Sequence, residues 1–229
     1  APGSIAAIFG ERLADVTLQA QSVPLPFELG GVRVTVGGLP APIFFVSPTQ
    51  INIQIPRDTR IPLPISDVPS VNASVIVTNR SGTSAARTVQ VAVQAPGIFT
   101  LNGTGCGAPA ILNVEDDGPV SVNGPANPAP PGSYVTIFGT GLGWPSRQPD
   151  SLDPDGMPAR AIVNAEQTDG LRTLITFMGE SRSGRPIFAG RAPGLVGVDQ
   201  WNLRVPEGNP PGCNHAISLR NTAWRHQSQ

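Results

Sequence analysis

The sequence predicts an all-β protein made of two tandem β-sandwiches that arose by internal duplication. Three observations lead to this prediction. The opening string at residues 2–13 recurs at residues 131–142, short runs of residues alternate between apolar and polar, and Gly and Pro each number 26 among 229 residues. An internal repeat of this kind makes each copy one structural unit, so the architecture can be predicted before any residue is given a role.

The two copies share an ordered series of matches. Each opens with Pro-Gly-Ser, four mostly β-favouring residues, Phe-Gly, two residues and Leu. Later matches keep the same order, and they pair residues 34–36 with 175–177, 42–45 with 186–189, 50–56 with 200–206, and 73–79 with 215–221. The spacing between matched positions changes along the chain. The second copy therefore carries loop insertions, mainly in residues 143–170 and 189–197.

Strands are predicted where apolar residues occupy every second position, which is the pattern of a half-buried strand. In the first copy such runs cover residues 32–36, 51–55, 74–77 and 88–93. Gly-rich and Asn-rich turn signals separate the runs. Since no 12-residue window has helical periodicity, we expect no helix.

The duplication predicts a boundary at residue 97. We expect one sandwich in residues 1–97 and a second in residues 98–229. The second begins with a hairpin of residues 110–114 and 119–122 and carries the loop insertions. The Pro-rich residues 127–132 are semi-rigid, so we expect limited flexing between the two domains.

Composition excludes several classes of partner. The 15 basic residues, all Arg, balance 16 acidic residues and form no basic stripe, which argues against nucleic acid. No apolar run approaches the roughly 18 residues that a membrane-spanning helix needs. The chain starts inside a strand-like motif without an initiator Met or signal peptide. We interpret it as a mature or excised segment.

The two cysteines, Cys106 and Cys213, both fall in the second copy, and each lies in a Gly-rich turn before a strand. This similar placement predicts a disulfide between them, with two inert buried thiols as the alternative. A disulfide would indicate an exported protein.

The repeated motifs resemble a known family. The strings concerned are residues 2–13, 30–56, 95–99, 127–143 and 192–202. Together they are similar to the uncharacterised C-terminal domain of acidobacterial (Solibacter-type) secreted proteins, and each half resembles an IPT/TIG-type immunoglobulin-like domain. The resemblance implies two immunoglobulin-like sandwiches, export to the cell surface and no known catalytic residue.

One departure from that family concerns the end of the chain. The closing strand of the first copy, residues 88–93, has no counterpart before Gln229. An incomplete second sandwich would leave an open edge beside residues 216–220, to which a strand of a neighbouring chain could add. Repeated head to tail, such addition would build a fibre. Alternatively, the closing strand is encoded just beyond the chain.

Candidate chemistry in the chain is sparse. His215 and His226 have no partners at metal-ligand spacing, so we expect no zinc site. Asp150, Asp153 and Asp155 resemble a calcium loop but fail its spacing. We therefore expect a solvated loop there, with an irregular calcium site as the alternative. We expect no catalytic residue, metal or cofactor.

Two repeated or aromatic features point to packing rather than to a ligand. Trp144 and Trp201 could stack on a sugar, but Trp201 occupies the core position of Ile51, and aromatics make up only 5% of the chain. Gln50 and Asn52 recur in the second copy, where their amides are expected to satisfy neighbouring backbone groups.

These observations favour a non-enzymatic structural, adhesive or assembly module of an exported bacterial surface protein, with a fibre subunit as one form of it. The alternatives are a carbohydrate-binding module and an accessory domain of a larger secreted hydrolase. A protein partner or a second copy is the expected ligand, and a carbohydrate is the alternative.

Overall fold

The computed structural model of the chain describes residues 1–57, 70–114, 119–143, 154–160, 172–177, 183–184, 186–207 and 217–222. In these residues every regular element is a β-strand, and the paired strands run antiparallel. These findings confirm the predicted all-β class.

The N-terminal half contributes nine strands within its described residues. They are β1 (Ile5–Phe9), β2 (Leu18–Gln19), β3 (Arg33–Val36), β4 (Leu39–Pro40), β5 (Ile43–Val46), β6 (Gln50–Gln54), β7 (Ser70–Asn79), β8 (Gly82–Thr83) and β9 (Arg87–Ala92). One sheet has the order β1-β6-β5-β2. In the other, β4-β3-β7-β8, strand β9 also pairs with β7.

The described part of the C-terminal half contributes nine more strands. They are β10 (Gly97–Ile98), β11 (Ile111–Val114), β12 (Ser121–Val122), β13 (Tyr134–Thr140), β14 (Arg172–Phe177), β15 (Ser183–Gly184), β16 (Phe188–Arg191), β17 (Asp199–Arg204) and β18 (Ile217–Thr222). One sheet has the order β12-β11-β13-β17-β16, with β10 also on β13, and the other has the order β15-β14-β18.

Each half buries its own apolar cluster. In the N-terminal half the cluster is built mainly from alternate residues of β3 and β6 and from β5, among them Val34, Ile43 and Ile51. In the C-terminal half Ile137, Trp201 and Leu203 take the corresponding central place. The period-two pattern thus explains both cores, because alternate residues of a strand face the same side of a sheet.

The matched segments of the two halves pair in the same register. Strand β1 meets β6 with Ile8 opposite Ile51, and β13 meets β17 with Ile137 opposite Trp201. The second sheets agree as well, because Val36 lies opposite Val75 and the matched residues 177 and 217 also lie opposite each other. The duplication and its boundary at residue 97 stay predictions, and this shared register supports them.

The match between residues 42–45 and 186–189 is wrong by one residue at its end. Strand β5 contains a bulge between Ile43 and Phe45, and β16 pairs with β17 without one. As a result Val46, not Phe45, takes the place of Ala189. The small Ala189 lies opposite the large Trp201, whereas Val46 lies opposite Ile51, so the core volume is shared differently in the two halves.

The repeat matches Phe9 with Phe138 and Ile53 with Leu203, which predicts that the members of each pair are buried in equivalent positions. For Phe9 and Phe138 this prediction is wrong. Phe9 is 74% exposed and Phe138 is half-buried. The inward positions on these strands belong to the preceding isoleucines, since Ile8 packs against the first core and Ile137 is fully buried in the second. The expected equivalence of Ile53 and Leu203 is confirmed, and each is 1% exposed.

Candidate functional site

A buried polar region lies where the two halves meet. The connecting residues 93–98 run along the C-terminal end of β13. The Ala95 N–H donates to the Gly141 carbonyl at 2.8 Å, and β10 pairs with β13. The described part of the connection is therefore bound to the second half by backbone hydrogen bonds.

Two glycines of the second half make this close approach possible. A Cβ atom on Gly139 would collide with the Gly97 carbonyl and the Trp201 ring. A Cβ atom on Gly141 would collide with the Ala95 carbonyl, and the φ of Gly141 is +94°, a conformation that favours glycine. Gly139, which repeats the glycine of the Phe-Gly motif, and Gly141, which stands where the first copy has Arg12, thus let the connection lie against β13.

A buried ion pair lies beside this connection. Arg191 on β16 is directly opposite Asp199 on β17, and Arg191 Nη1 is 3.0 Å from Asp199 Oδ1. The Asp199 side chain is 0% exposed and that of Arg191 is 12% exposed. The Leu142 N–H donates to Asp199 Oδ2 at 2.7 Å. Asp199 therefore fixes both a cross-strand partner and the backbone that follows β13.

Burial raises the pKa of Asp199 above its ordinary value, because the charged carboxylate loses its hydration. Arg191 and the backbone N–H groups of Leu142 and Gly141 act in the opposite direction. A shifted carboxyl often marks an active site, but structural ion pairs also shift pKa values. The Asp199 carboxyl lies in a packed contact between β16 and β17, so a structural ion pair explains its shifted pKa.

Arg191 and Thr140 extend the pair to the start of the chain. Arg191 Nη1 donates to the Gly3 carbonyl at 3.1 Å and Nη2 to the Pro2 carbonyl at 3.3 Å. Thr140 Oγ1 accepts from the Ile5 N–H at 2.9 Å and donates to the Gly197 carbonyl at 2.8 Å. The start of the first half is thereby hydrogen-bonded to the second half.

The loop considered for calcium makes a second set of contacts across the junction. The Asp155 carboxylate accepts from the Arg57 N–H at 3.0 Å. The next residue, Gly156, donates to Gln54 Oε1 at 2.7 Å and accepts from the Leu25 N–H at 2.9 Å. The expectation of a solvated loop is therefore wrong for these two residues, which bind the first half. Asp150 and Asp153 lie outside the described residues.

The predicted disulfide is not supported. Cys106 is an exposed free cysteine in a turn in which Asn102 and Thr104 donate hydrogen bonds to its carbonyl. Cys213 lies outside the described residues, as do His215, His226 and Trp144.

The remaining sequence-based assignments fall in the core and on β6 and β17. Trp201 is fully buried in the second core, so it offers no face to a sugar. Gln50 Nε2 donates to Asn52 Oδ1 at 2.7 Å, and Gln200 Nε2 donates to Asn202 Oδ1 at 2.8 Å. The repeated amides therefore bond to each other rather than to the neighbouring backbone, in the same way in both halves.

Sequence reasoning missed Arg191 and Asp199. A signal was present, because the residues that cross the junction fall in or beside the insertions that distinguish the second copy, namely 143–170 and 189–197. Gly156 and Arg191 lie inside those insertions, and Asp199 comes just before the matched segment of β17.

No group of three or more His, Cys, Asp or Glu side chains in the described part of the chain is arranged to hold a metal ion. In the same residues no helix is long and apolar enough to cross a membrane.

Comparison of the chain with known protein families, with curated proteins and with solved structures finds no match.

Proposed function

We propose that the chain is a non-enzymatic structural, adhesive or assembly module of an exported bacterial surface protein. The observation that carries this proposal is the junction. Its buried charged pair, its glycine contacts and its insertion loop all hold one half against the other. A module that transmits position or force along a chain needs such a fixed joint.

The chemistry of the described polar residues supports this role. The Asp199 carboxylate, the group whose pKa burial raises, contacts Arg191 and the Leu142 N–H. Asp155 and Gly156 contact the backbone and Gln54 of the other half. Each of these groups is used in internal bonding, which stabilises a fixed arrangement.

Assembly through strand addition is the specific form of the proposal. Strand β18 is the last strand of the described sheet β15-β14-β18, whereas its counterpart β7 is also paired with β8 and β9. Residues 223–229, in which the sequence shows no counterpart of β9, lie outside the described residues. A strand of a neighbouring chain on β18 would supply backbone hydrogen bonds and complete the sheet.

Sedimentation velocity over a micromolar concentration series, combined with negative-stain images, tests the assembly role. We expect the mass to rise with concentration and elongated particles to form. A monomer throughout the series would contradict assembly. Retention on a polysaccharide that free sugar competes away would favour the carbohydrate-binding alternative instead.

A pair of adjacent proline variants provides the matched control. Neighbouring residues of a strand present their N–H groups to opposite sides, so Ser218→Pro and Leu219→Pro remove donors on opposite edges of β18. One variant should break the ladder to β14 and lose stability. The other should stay folded by circular dichroism and lose self-association.

A further inference from the structure

Among the described strands, β1 lies at an edge of its sheet, with no strand paired on its outer side. Strand β1 is the last strand of the sheet β1-β6-β5-β2. The Gly10 N–H donates to the Thr49 carbonyl, towards β6. Because successive residues of a strand alternate, the N–H and C=O groups of Ala7 and Phe9 point away from β6. Among the described residues no strand pairs with that side.

The equivalent edge in the second half is covered. Strand β13, the counterpart of β1, pairs on its outer side with β11 and β10. The Phe138 N–H donates to the Ala110 carbonyl, and the Phe138 carbonyl accepts from the Phe99 N–H, both at 3.0 Å. Phe138 is the match of Phe9. The second half therefore shows the two backbone hydrogen bonds that a further strand would make with the N–H and C=O groups of Phe9.

The core-facing residues of β1 are also less buried than their matches on β13. Ile137 is 0% and Val135 4% exposed beneath their covering strand. Their matches Ile8 and Ala6 are only half-buried, although Ile51, opposite Ile8, is fully buried. A covering strand would remove the exposed part of Ile8 from water, which is favourable.

Strand β1 also lacks the features that protect sheet edges. Its sequence is Ile-Ala-Ala-Ile-Phe, without charge or proline, and its pairing with β6 is continuous. Natural edges that stay unpaired commonly carry lysine, proline or a bulge. The outward groups of Ala7 and Phe9 are therefore accessible to a further strand, whereas Ile5 is already bonded to Thr140.

We propose that β1 accepts an extended apolar peptide strand, antiparallel to it, with a large apolar residue opposite Ile8. The chain itself supplies the template for this ligand, since Ile111 of β11 lies opposite Ile137 and is 4% exposed in the second core. The site is distinct from the β18 edge and does not depend on the proposed function.

A labelled peptide tests the proposal. The probe is a fluorescein-labelled peptide of residues 107–123, which contains β11 and β12, titrated with the full chain and followed by anisotropy. We expect saturable binding, and binding at least about tenfold weaker for the peptide with Ile111→Asp, because a charge would enter the core.

Two variants at one position give the matched protein control. Ala7→Pro removes the outward N–H but leaves the ladder to β6, since proline is tolerated where its nitrogen faces away from the sheet. Ala7→Val keeps the N–H. We expect Ala7→Val to bind like the wild type and Ala7→Pro to bind at least about tenfold more weakly.

Several outcomes would overturn the proposal. They are absence of binding by the wild type, equal binding by Ala7→Pro, and a concentration-dependent dimer that Ala7→Pro abolishes, which would make a second copy the occupant.

Hydrogen exchange of the wild type gives a readout that does not depend on the variants. The peptide should slow exchange at Ala7 and Phe9 and leave β18 unchanged, and unchanged exchange at Ala7 and Phe9 would contradict the proposal.

Discussion

Arg191 and Asp199 show how a single residue pair can determine a joint. They lie opposite each other on β16 and β17, and Arg191 also reaches the Gly3 carbonyl of the other half. Removing one member of a buried pair is costly, because it leaves the other charge buried without its partner. The pair therefore makes the orientation of the halves sensitive to one substitution.

Arg191→Met is expected to lower the free energy of unfolding by about 3–5 kcal/mol near neutral pH. Arg191 lowers the pKa of Asp199, so the variant should raise that pKa further. A carboxyl whose pKa is higher in the folded protein than in the unfolded chain, where it is about 3.9, stabilises the fold when it is protonated. That contribution is complete below the pKa of the unfolded chain and is lost as the pH rises through the pKa of the folded protein. Denaturant unfolding at several pH values should show the deficit growing with pH.

Arg204→Met is the control for that variant. Arg204 pairs with Glu207 at 2.7 Å, but both side chains are more than half exposed. Exposed pairs contribute at most about 1 kcal/mol, so this substitution should have a small effect. A deficit for Arg191→Met as small as that for Arg204→Met would contradict the role of the buried pair.

Cys106 gives a chemical prediction at the same scale. Its exposed free thiol should react with an alkylating reagent without prior reduction. Intact-mass analysis of the native protein, followed by peptide mapping, should locate a label on Cys106. Labelling of Cys106 only after reduction would instead support the predicted disulfide with Cys213.

At the scale of strands, the sequence repeat predicts pairing better than it predicts burial. Matching residues 8 with 137 and 51 with 201 reproduces the register of β1 on β6 and of β13 on β17. The burial of Phe9 was predicted wrongly because an aromatic residue was placed in the core, whereas strand alternation assigns the inward positions to Ile8 and Ile137. The bulge at β5 could not be predicted, because it depends on how Ile43 and Phe45 meet β6.

Alanine substitutions on the two matched strands test this register. Ile137→Ala should cost about 2–5 kcal/mol, as for other fully buried isoleucines. Ile8→Ala should cost less, because Ile8 is only half-buried, and Phe9→Ala should change stability by no more than about 0.5 kcal/mol. Thermal unfolding of the three variants provides the comparison. A larger effect for Phe9→Ala than for Ile137→Ala would show that the assigned faces are reversed.

The seating of the connection on β13 gives a further test. Gly139→Ala and Gly141→Ala should each destabilise the protein by about 1–3 kcal/mol, because the added Cβ would overlap backbone carbonyls. Gly124→Ala is the control, since a Cβ there meets no atom within 4 Å. Equal stability of all three variants in urea unfolding would contradict the close approach.

At the scale of the whole molecule, insertions in the second copy contact the first half. Composition and period-two patterning were sufficient to predict the all-β class. The insertions indicated where the second copy differs from the first, but the partners of Asp155, Gly156 and Arg191 could not be predicted, since each is far away in the chain. Their hydrogen bonds to Arg57, Gln54 and Gly3 follow from tertiary structure rather than from any local pattern.

Native-state hydrogen exchange at the junction tests the fixed joint most directly. The amides to follow are Ile5, bonded to Thr140, and Gly156, bonded to Gln54, with the Phe138 amide of β13 as the reference. A fixed joint predicts that Ile5 and Gly156 are protected to within about tenfold of Phe138, since they would open only when the second half unfolds. Rapid exchange at Ile5 and Gly156 beside a protected Phe138 would show that the halves separate freely, and would contradict the proposed structural role.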